Sequence, residues 1–184
     1  MSSPALDITD DHRVADAAFA TLLRSELFQG IEALSIYGAF GADTLRTLSD
    51  PTILPRLDRV GVAGGLADGF RDAMSSPIAT RITTFAITTR LILTPPFGSI
   101  SSDILANVSN WTYGVDPGPE VLDLSGIEFT LEDGENAPTL IPQAWAEVVT
   151  EWKIPSRIKT LRFGRWYTKA LRRAAARKGL KATR

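Results

Sequence analysis

The chain has 184 residues, 44% of them hydrophobic, which suits one ordinary domain with a sizeable core and excludes a disordered polymer. It has no cysteine, so disulfides, thiolate catalysis and cysteine-based zinc sites are excluded. The formal charge of −1 hides an asymmetry: residues 1–152 hold eight arginines, no lysine and all 21 acids, whereas Lys153 to Arg184 holds 12 of the 20 basic residues and no acid. A basic run of that size must face a polyanion, an acidic partner surface or the chain's own acidic part.

The opening MSSPALDITDDHR is acidic and has no apolar stretch of a secretory signal. Asp10 and Asp11 precede Val14, Ala17, Ala18, Phe19, Leu22 and Leu23, whose spacing predicts a helix over about 11–28. After Gly30, the residues Ile31, Leu34, Ile36 and Tyr37 predict a second, shorter helix, and Ala42 to Leu48 a third, halted by Asp50 and Pro51. Gly61, Gly65 and Gly69 recur every fourth residue. No Lys-Ser/Thr pair follows them, so they read as helix packing or a flexible loop in preference to a phosphate loop.

Ser76 and Pro77 have the form of a helix start. Ile78, Ile82, Phe85, Ala86, Thr89 and Leu93 then keep helical spacing, while the β-branched run from Ile82 to Thr89 favours strand. The length of Ile78 to Leu93 tips the reading to helix. Pro95 and Pro96 break the longest greasy stretch, which is too short to cross a bilayer. Ser102 or Asp103 caps a helix through Ile104, Leu105, Val108 and Trp111. Val121 to Leu124 and Ile127 to Leu131 resemble a small β-hairpin about Ser125 and Gly126, and Pro142 opens a helix with Ala144, Trp145, Val148, Val149 and Trp152 on one face. No internal repeat is visible. The expected fold is mainly α, a bundle-like body over 1–152 with one small hairpin, followed by a basic C-terminal helical arm over 153–184. The body is expected to fold without that arm.

In the arm, Ile154, Pro155 and Ser156 make a hinge, and Arg165 to Lys178 is rich in helix formers with Gly179 at its end. Arg165, Lys169, Arg173 and Arg177 then form one stripe, which Arg157, Lys159, Arg162, Arg172 and Lys178 extend. These nine residues are the expected phosphate contacts, and Trp166 and Tyr167 either stack on bases or dock the arm on the body. The thin alanine face argues against a membrane.

Catalytic groups are hard to find. His12 is the one histidine and sits beside Asp10, Asp11 and Asp16, a setting for local pairing. The acidic groups Asp7, Asp10, Asp11 and Glu132, Asp133, Glu135 lack calcium-loop spacing, so no metal or cofactor and no enzymatic activity are expected. An acidic body with a short basic arm is similar in type to viral coat and nucleocapsid proteins, a likeness of charge layout. It implies a self-associating body and an arm that neutralises RNA or DNA with little sequence preference, inside a virion or the cytoplasm and not secreted. The alternative from another class is an assembly adaptor whose basic helix docks on an acidic protein surface.

Overall fold

Among the described residues, seven strands form one sheet in which every strand pairs with its neighbours in sequence, in the order β1 to β7. They are β1 (Ala5–Ile8), β2 (Ala33–Tyr37), β3 (Arg59–Ala63), β4 (Thr84–Leu93), β5 (Val121–Leu131), β6 (Thr160–Arg162) and β7 (Lys181–Thr183). All six pairings are parallel. Between them run α1 (Asp16–Leu23), α2 (Ala42–Ser49), α3 (Ile78–Arg81), α4 (Ile100–Thr112), α5 (Ile141–Glu151) and α6 (Lys169–Arg177). The computed structural model describes residues 5–8, 16–37, 41–63, 71, 73–93, 100–112, 114, 118–131 and 140–184. His12, Gly65, Gly69, Pro95 and Glu132 to Asn136 lie outside these residues.

Sequential order has a strong consequence. Crossovers between parallel strands are right-handed almost without exception, so strands laid down in sequence send every helix over the same face. Consecutive helices accordingly touch, α1 with α2, α2 with α3, α4 with α5 and α5 with α6. One hydrophobic cluster runs from Phe19 to Ala182 between helices and sheet. The opposite face of the sheet carries no described helix. Strands lie about 4.8 Å apart and packed helices about 8–10 Å, so such a two-layer array bends toward its bare face, as in repeat solenoids.

The repeat is one of backbone more than of sequence. Equivalent positions Ala5, Ala33, Arg59, Thr84, Val121, Thr160 and Lys181 share one row of the sheet. Just before the strands, the Glu32 carbonyl accepts from the N–H groups of Asp58 and Arg59, that of Asp58 from Thr83 and Thr84, and that of Glu120 from Lys159 and Thr160. Three junctions, β2 to β3, β3 to β4 and β5 to β6, are thus tied by the same pair of bonds. From β2 to β6 the core side of each strand start carries an apolar pair: Leu34 with Ile36, Val60 with Val62, Phe85 with Ile87, Leu122 with Leu124, and Leu161 with Phe163, all buried.

The mainly helical bundle expected from sequence is therefore replaced by a parallel α/β array. Ala33–Tyr37, read as helix, is strand β2. Ile78 to Leu93 divides into the short helix α3 and the ten-residue strand β4, where β-branched propensity prevailed over apparent helical spacing. The supposed hairpin is the single strand β5. Ala86 pairs with Asp123 and Thr88 with Gly126, so β5 carries one extra residue there, a β-bulge. The bulge resets the alternation, which keeps Ile127 and Phe129 in the core along with Leu122 and Leu124. Gly126 is required at this point, since a Cβ would lie 2.9 Å from the Ile87 carbonyl oxygen and 2.5 Å from Thr88 Oγ1.

The basic run is no arm. It supplies β6, a 3₁₀ turn at Gly164–Trp166, α6 and β7, and the 152/153 boundary falls between α5 and β6 within the continuous sheet. Ile158, Leu161, Phe163, Trp166, Leu171, Ala174 and Ala175 are all buried. Phe163 meets Trp145 edge-on with ring centroids 5.1 Å apart, and Trp166 meets Phe129 at 5.4 Å, which locks the run to β5 and α5. Helix α6 is capped at both ends. Thr168 Oγ1 accepts from the Leu171 N–H at 3.2 Å. At the other end Gly179 takes φ 72°, and the N–H groups of Gly179 and Leu180 close on the carbonyls of Ala176 and Ala175.

Another cap links two turns of the array. The Asp16 carboxylate of α1 accepts from the N–H groups of Asp43 (2.8 Å) and Thr44 (3.0 Å) at the start of α2. Gly41 leaves the room for it, because a Cβ there would stand 2.2 Å from the carboxyl carbon.

Candidate binding surface

The bare face of the sheet is built from the residues between the core pairs. One row runs Ser35, Gly61, Ala86, Asp123, Arg162, Thr183, and the next Ala33, Arg59, Thr84, Val121, Thr160, Lys181. The longer strands β4 and β5 extend the face with Thr88 opposite Gly126, Arg90 opposite Glu128, and Ile92 opposite Thr130. Arg90 and Glu128 form an exposed ion pair at 3.4 Å, worth little in water. Alternation on a parallel sheet is itself informative, because parallel strands covered on both sides are apolar throughout.

The centre of this face holds Asp123, only 2% exposed. Its Oδ2 accepts from Arg59 of β3 at 2.9 Å and from Arg162 of β6 at 3.1 Å, and its Oδ1 from the Ser125 N–H at 3.0 Å and the Ser125 hydroxyl at 2.6 Å. Burial works to raise the Asp123 carboxyl, but the two Ser125 bonds and the guanidiniums of Arg59 and Arg162 outweigh it and hold the group below the ordinary carboxylate range. A carboxylate so held is a weak base, and the arrangement suits recognition better than proton transfer.

This lowered value fixes a pH dependence. A depressed folded-state pKa contributes stability that is present above the ordinary aspartate value of about 3.9 and is lost as pH falls through the folded value. The Asp123→Asn protein should therefore be less stable than the parent at pH 7, by about 1–3 kcal/mol, with the gap narrowing below about pH 4. Urea unfolding at both pH values checks this, and a gap that does not narrow in acid would contradict it.

The residues expected to bind phosphate are scattered over several faces and serve different ends. Arg157 is a strut: its guanidinium donates to the carbonyls of Ala79 (3.0 Å) and Gly118 (3.3 Å) and lies 3.6 Å from Glu120. Arg162 belongs to the Asp123 cluster. Lys178 Nζ donates to the Trp152 carbonyl at 2.7 Å, satisfying the end of α5. Arg165 lies over Trp166, 4.5 Å from the ring centroid. Trp166 itself is buried and donates its indole N–H to the Ile127 carbonyl at 2.9 Å, so its ring is held in the core. Tyr167 is half-buried and packs against the same core. Lys159, Lys169, Arg172, Arg173 and Arg177 are exposed. Only Lys169, Arg173 and Arg177 of the expected stripe lie on α6, since Arg165 precedes it. Arg173 and Arg177 border a groove between α5 and α6 that Ala146, Glu147 and Thr150 line from the other side.

Sequence reasoning missed Arg59 and Asp123. The available signal was the repeated pairing of apolar residues two apart, as in Leu34 and Ile36 or Leu122 and Leu124, which places Arg59, Asp123 and Arg162 on a common face. Among the described residues no three acidic or imidazole groups converge as a metal-binding set, and no helix is long and apolar enough to cross a membrane. Comparison with protein-family models, with curated proteins and with solved structures returns no match.

Proposed function

We propose that this chain is a partner-binding adaptor, an α/β solenoid whose C-terminal turns offer a basic surface to an acidic protein. The observation that carries this reading is the set of exposed cations Lys159, Lys169, Arg172, Arg173 and Arg177 on folded turns that contain no acid. Fixed positions on a helix and beside a strand give a partner a surface of defined shape, with the side-chain framework already ordered. One acidic surface is always at hand: residues 1–152 of another copy carry a formal −13. Head-to-tail association that grows as salt falls is therefore expected, and it is the open, heterologous kind.

A second reading keeps RNA or DNA as the partner, as in a coat or nucleocapsid protein. Lys169, Arg173 and Arg177 favour it, since their spacing of four residues puts them along one side of α6. Against it, Trp166 and Tyr167 are engaged with the core and Arg157 and Lys178 with internal acceptors.

The test is a titration of the parent and of a Lys169→Gln/Arg173→Gln/Arg177→Gln protein with polyglutamate and with single-stranded RNA and DNA at matched salt. The adaptor reading expects polyglutamate to bind more tightly than nucleic acid, with at least a tenfold loss in the triple variant, about 1.4 kcal/mol or more. Tighter nucleic-acid binding, with a salt slope of about −0.7 per phosphate that flattens by about two in the variant, replaces it with the second reading. Failure of every probe to bind overturns both.

A further inference from the structure

The bare face carries a feature that the basic C-terminal surface does not explain. Arg59 lies in the acidic part of the chain, on β3, and reaches across β4 to the same oxygen of Asp123 that Arg162 reaches from β6. We infer that Arg59 and Arg162 form a carboxylate-binding clamp on the bare sheet face, whose ligand is a single Glu or Asp side chain on an otherwise neutral extended segment of a protein partner.

Asp123 orders the clamp without filling it. Both of its oxygens are occupied, Oδ2 by the two arginines and Oδ1 by Ser125, and it is 2% exposed, so it has nothing further to offer a ligand. The arginines are different. Their side chains are 42% and 37% exposed, and each spends one nitrogen on Asp123. A guanidinium has five N–H donors in a planar fork, so most of the donors of both remain for an acceptor approaching from solvent. Two cations against one buried anion leave a net charge of +1, which one carboxylate neutralises. Because the shared oxygen holds the two forks side by side, the ordering cost of the long side chains is met before the ligand arrives.

The surroundings fit a protein segment better than a nucleic acid. Gly61 and Ala86, next to Asp123 in its row, are small, which keeps the floor low beside the clamp. Arg90, the cation that β4 adds to the same face, is already paired with Glu128 at 3.4 Å. A continuous polyanion laid along β4 and β5 therefore meets no further net charge, whereas a single carboxylate on an otherwise neutral extended segment matches the clamp alone.

The experiment follows the arginine Nε–H signals by NMR while an otherwise uncharged peptide of alternating Ser and Thr with one central Glu is added, with single-stranded DNA and sodium chloride as comparison titrants. The Arg59 and Arg162 signals should shift together and saturate with the peptide, and Arg59→Gln should weaken binding at least about tenfold. Arg59→Lys, which keeps the charge and loses the fork, should recover only part of that loss. The Lys169→Gln/Arg173→Gln/Arg177→Gln protein should leave both peptide-induced shifts intact, which separates this site from the basic surface of the adaptor reading. Shifts that saturate with DNA and not with the peptide, or that follow sodium chloride equally, overturn the proposal. Should Arg59→Gln fail to fold, the titration of the parent protein still decides.

Discussion

A protein ending at Trp152 should lose its cooperative fold. Deleting residues 153–184 removes Phe163 from Trp145, Trp166 from Phe129 and the whole of α6 from α5. Leu161, Phe163, Trp166 and Leu171 each bury a large apolar side chain, at about 1.5–3 kcal/mol apiece, and their loss leaves the matching faces of β5 and α5 in water. The sum is comparable to the roughly 5–15 kcal/mol that holds a typical domain together. In a solenoid each turn is stabilised mainly by its neighbours, so the damage falls first on β5 and α5 and then spreads inward. Near-ultraviolet circular dichroism and thermal melting of the truncated protein check this. A sharp transition with the aromatic signal of Trp145 preserved would instead fit a self-sufficient body with an appended arm.

Inserting one alanine between Gly126 and Ile127 should be nearly as damaging, although it adds one small residue. The bulge already holds one extra residue, so a second turns Ile127 and Phe129 to the bare face and Glu128 into the core. Two lost apolar side chains cost about 3–6 kcal/mol, and a buried unpaired carboxylate adds more. Deleting Ser125 instead removes the bulge residue, leaves Ile127 and Phe129 in the core and costs chiefly the two bonds to Asp123 Oδ1, so it should be far milder. Urea unfolding gives the answer. An unchanged midpoint after the insertion would mean that residues 121–131 form two strands about a turn, where a one-residue change is tolerated.

These two expectations mark where the sequence was readable. Helices α2, α4 and α5 lie close to their expected positions because each combines apolar spacing of three and four with a recognisable start or stop, such as Pro142 or Asp50 and Pro51. Gly179 marked the end of α6 for the same reason. The strands were hidden by brevity. A unit such as Ala33–Tyr37 has its apolar residues at Leu34 and Ile36, and with Ile31 before them the set satisfies a helical template as readily as an extended one. The sheet order was beyond local reading altogether, since it is set by crossovers that join residues dozens of positions apart.

Charge was legible in amount but not in placement. The run of 12 basic residues is plain in the sequence, yet Ile158, Leu161, Phe163, Trp166, Leu171 and Ala175 are interleaved with it at spacings that bury them. Arg157 and Lys178 are cations that serve backbone carbonyls, much as a helix cap does, and nothing in their neighbours in sequence announces that role. The Arg59–Asp123–Arg162 cluster draws on three strands, so no local motif contains it.

The central claim is that the basic C-terminal run is folded into the array as its last turns and holds its cations in fixed positions. Native-state amide hydrogen exchange tests it most directly. The N–H of Phe163 bonds to the Thr183 carbonyl at 3.0 Å, that of Lys181 to the Lys159 carbonyl at 2.8 Å, and that of Leu180 to the Ala175 carbonyl at 2.9 Å. These amides, and those of Ala174 and Ala175 in α6, should be protected by orders of magnitude over an open chain, with Phe163 approaching the protection of Leu122 in the middle of the sheet. Exchange of residues 160–183 at the rate of an unstructured peptide, beside a protected β4 and β5, would contradict the account and return the run to a free basic arm.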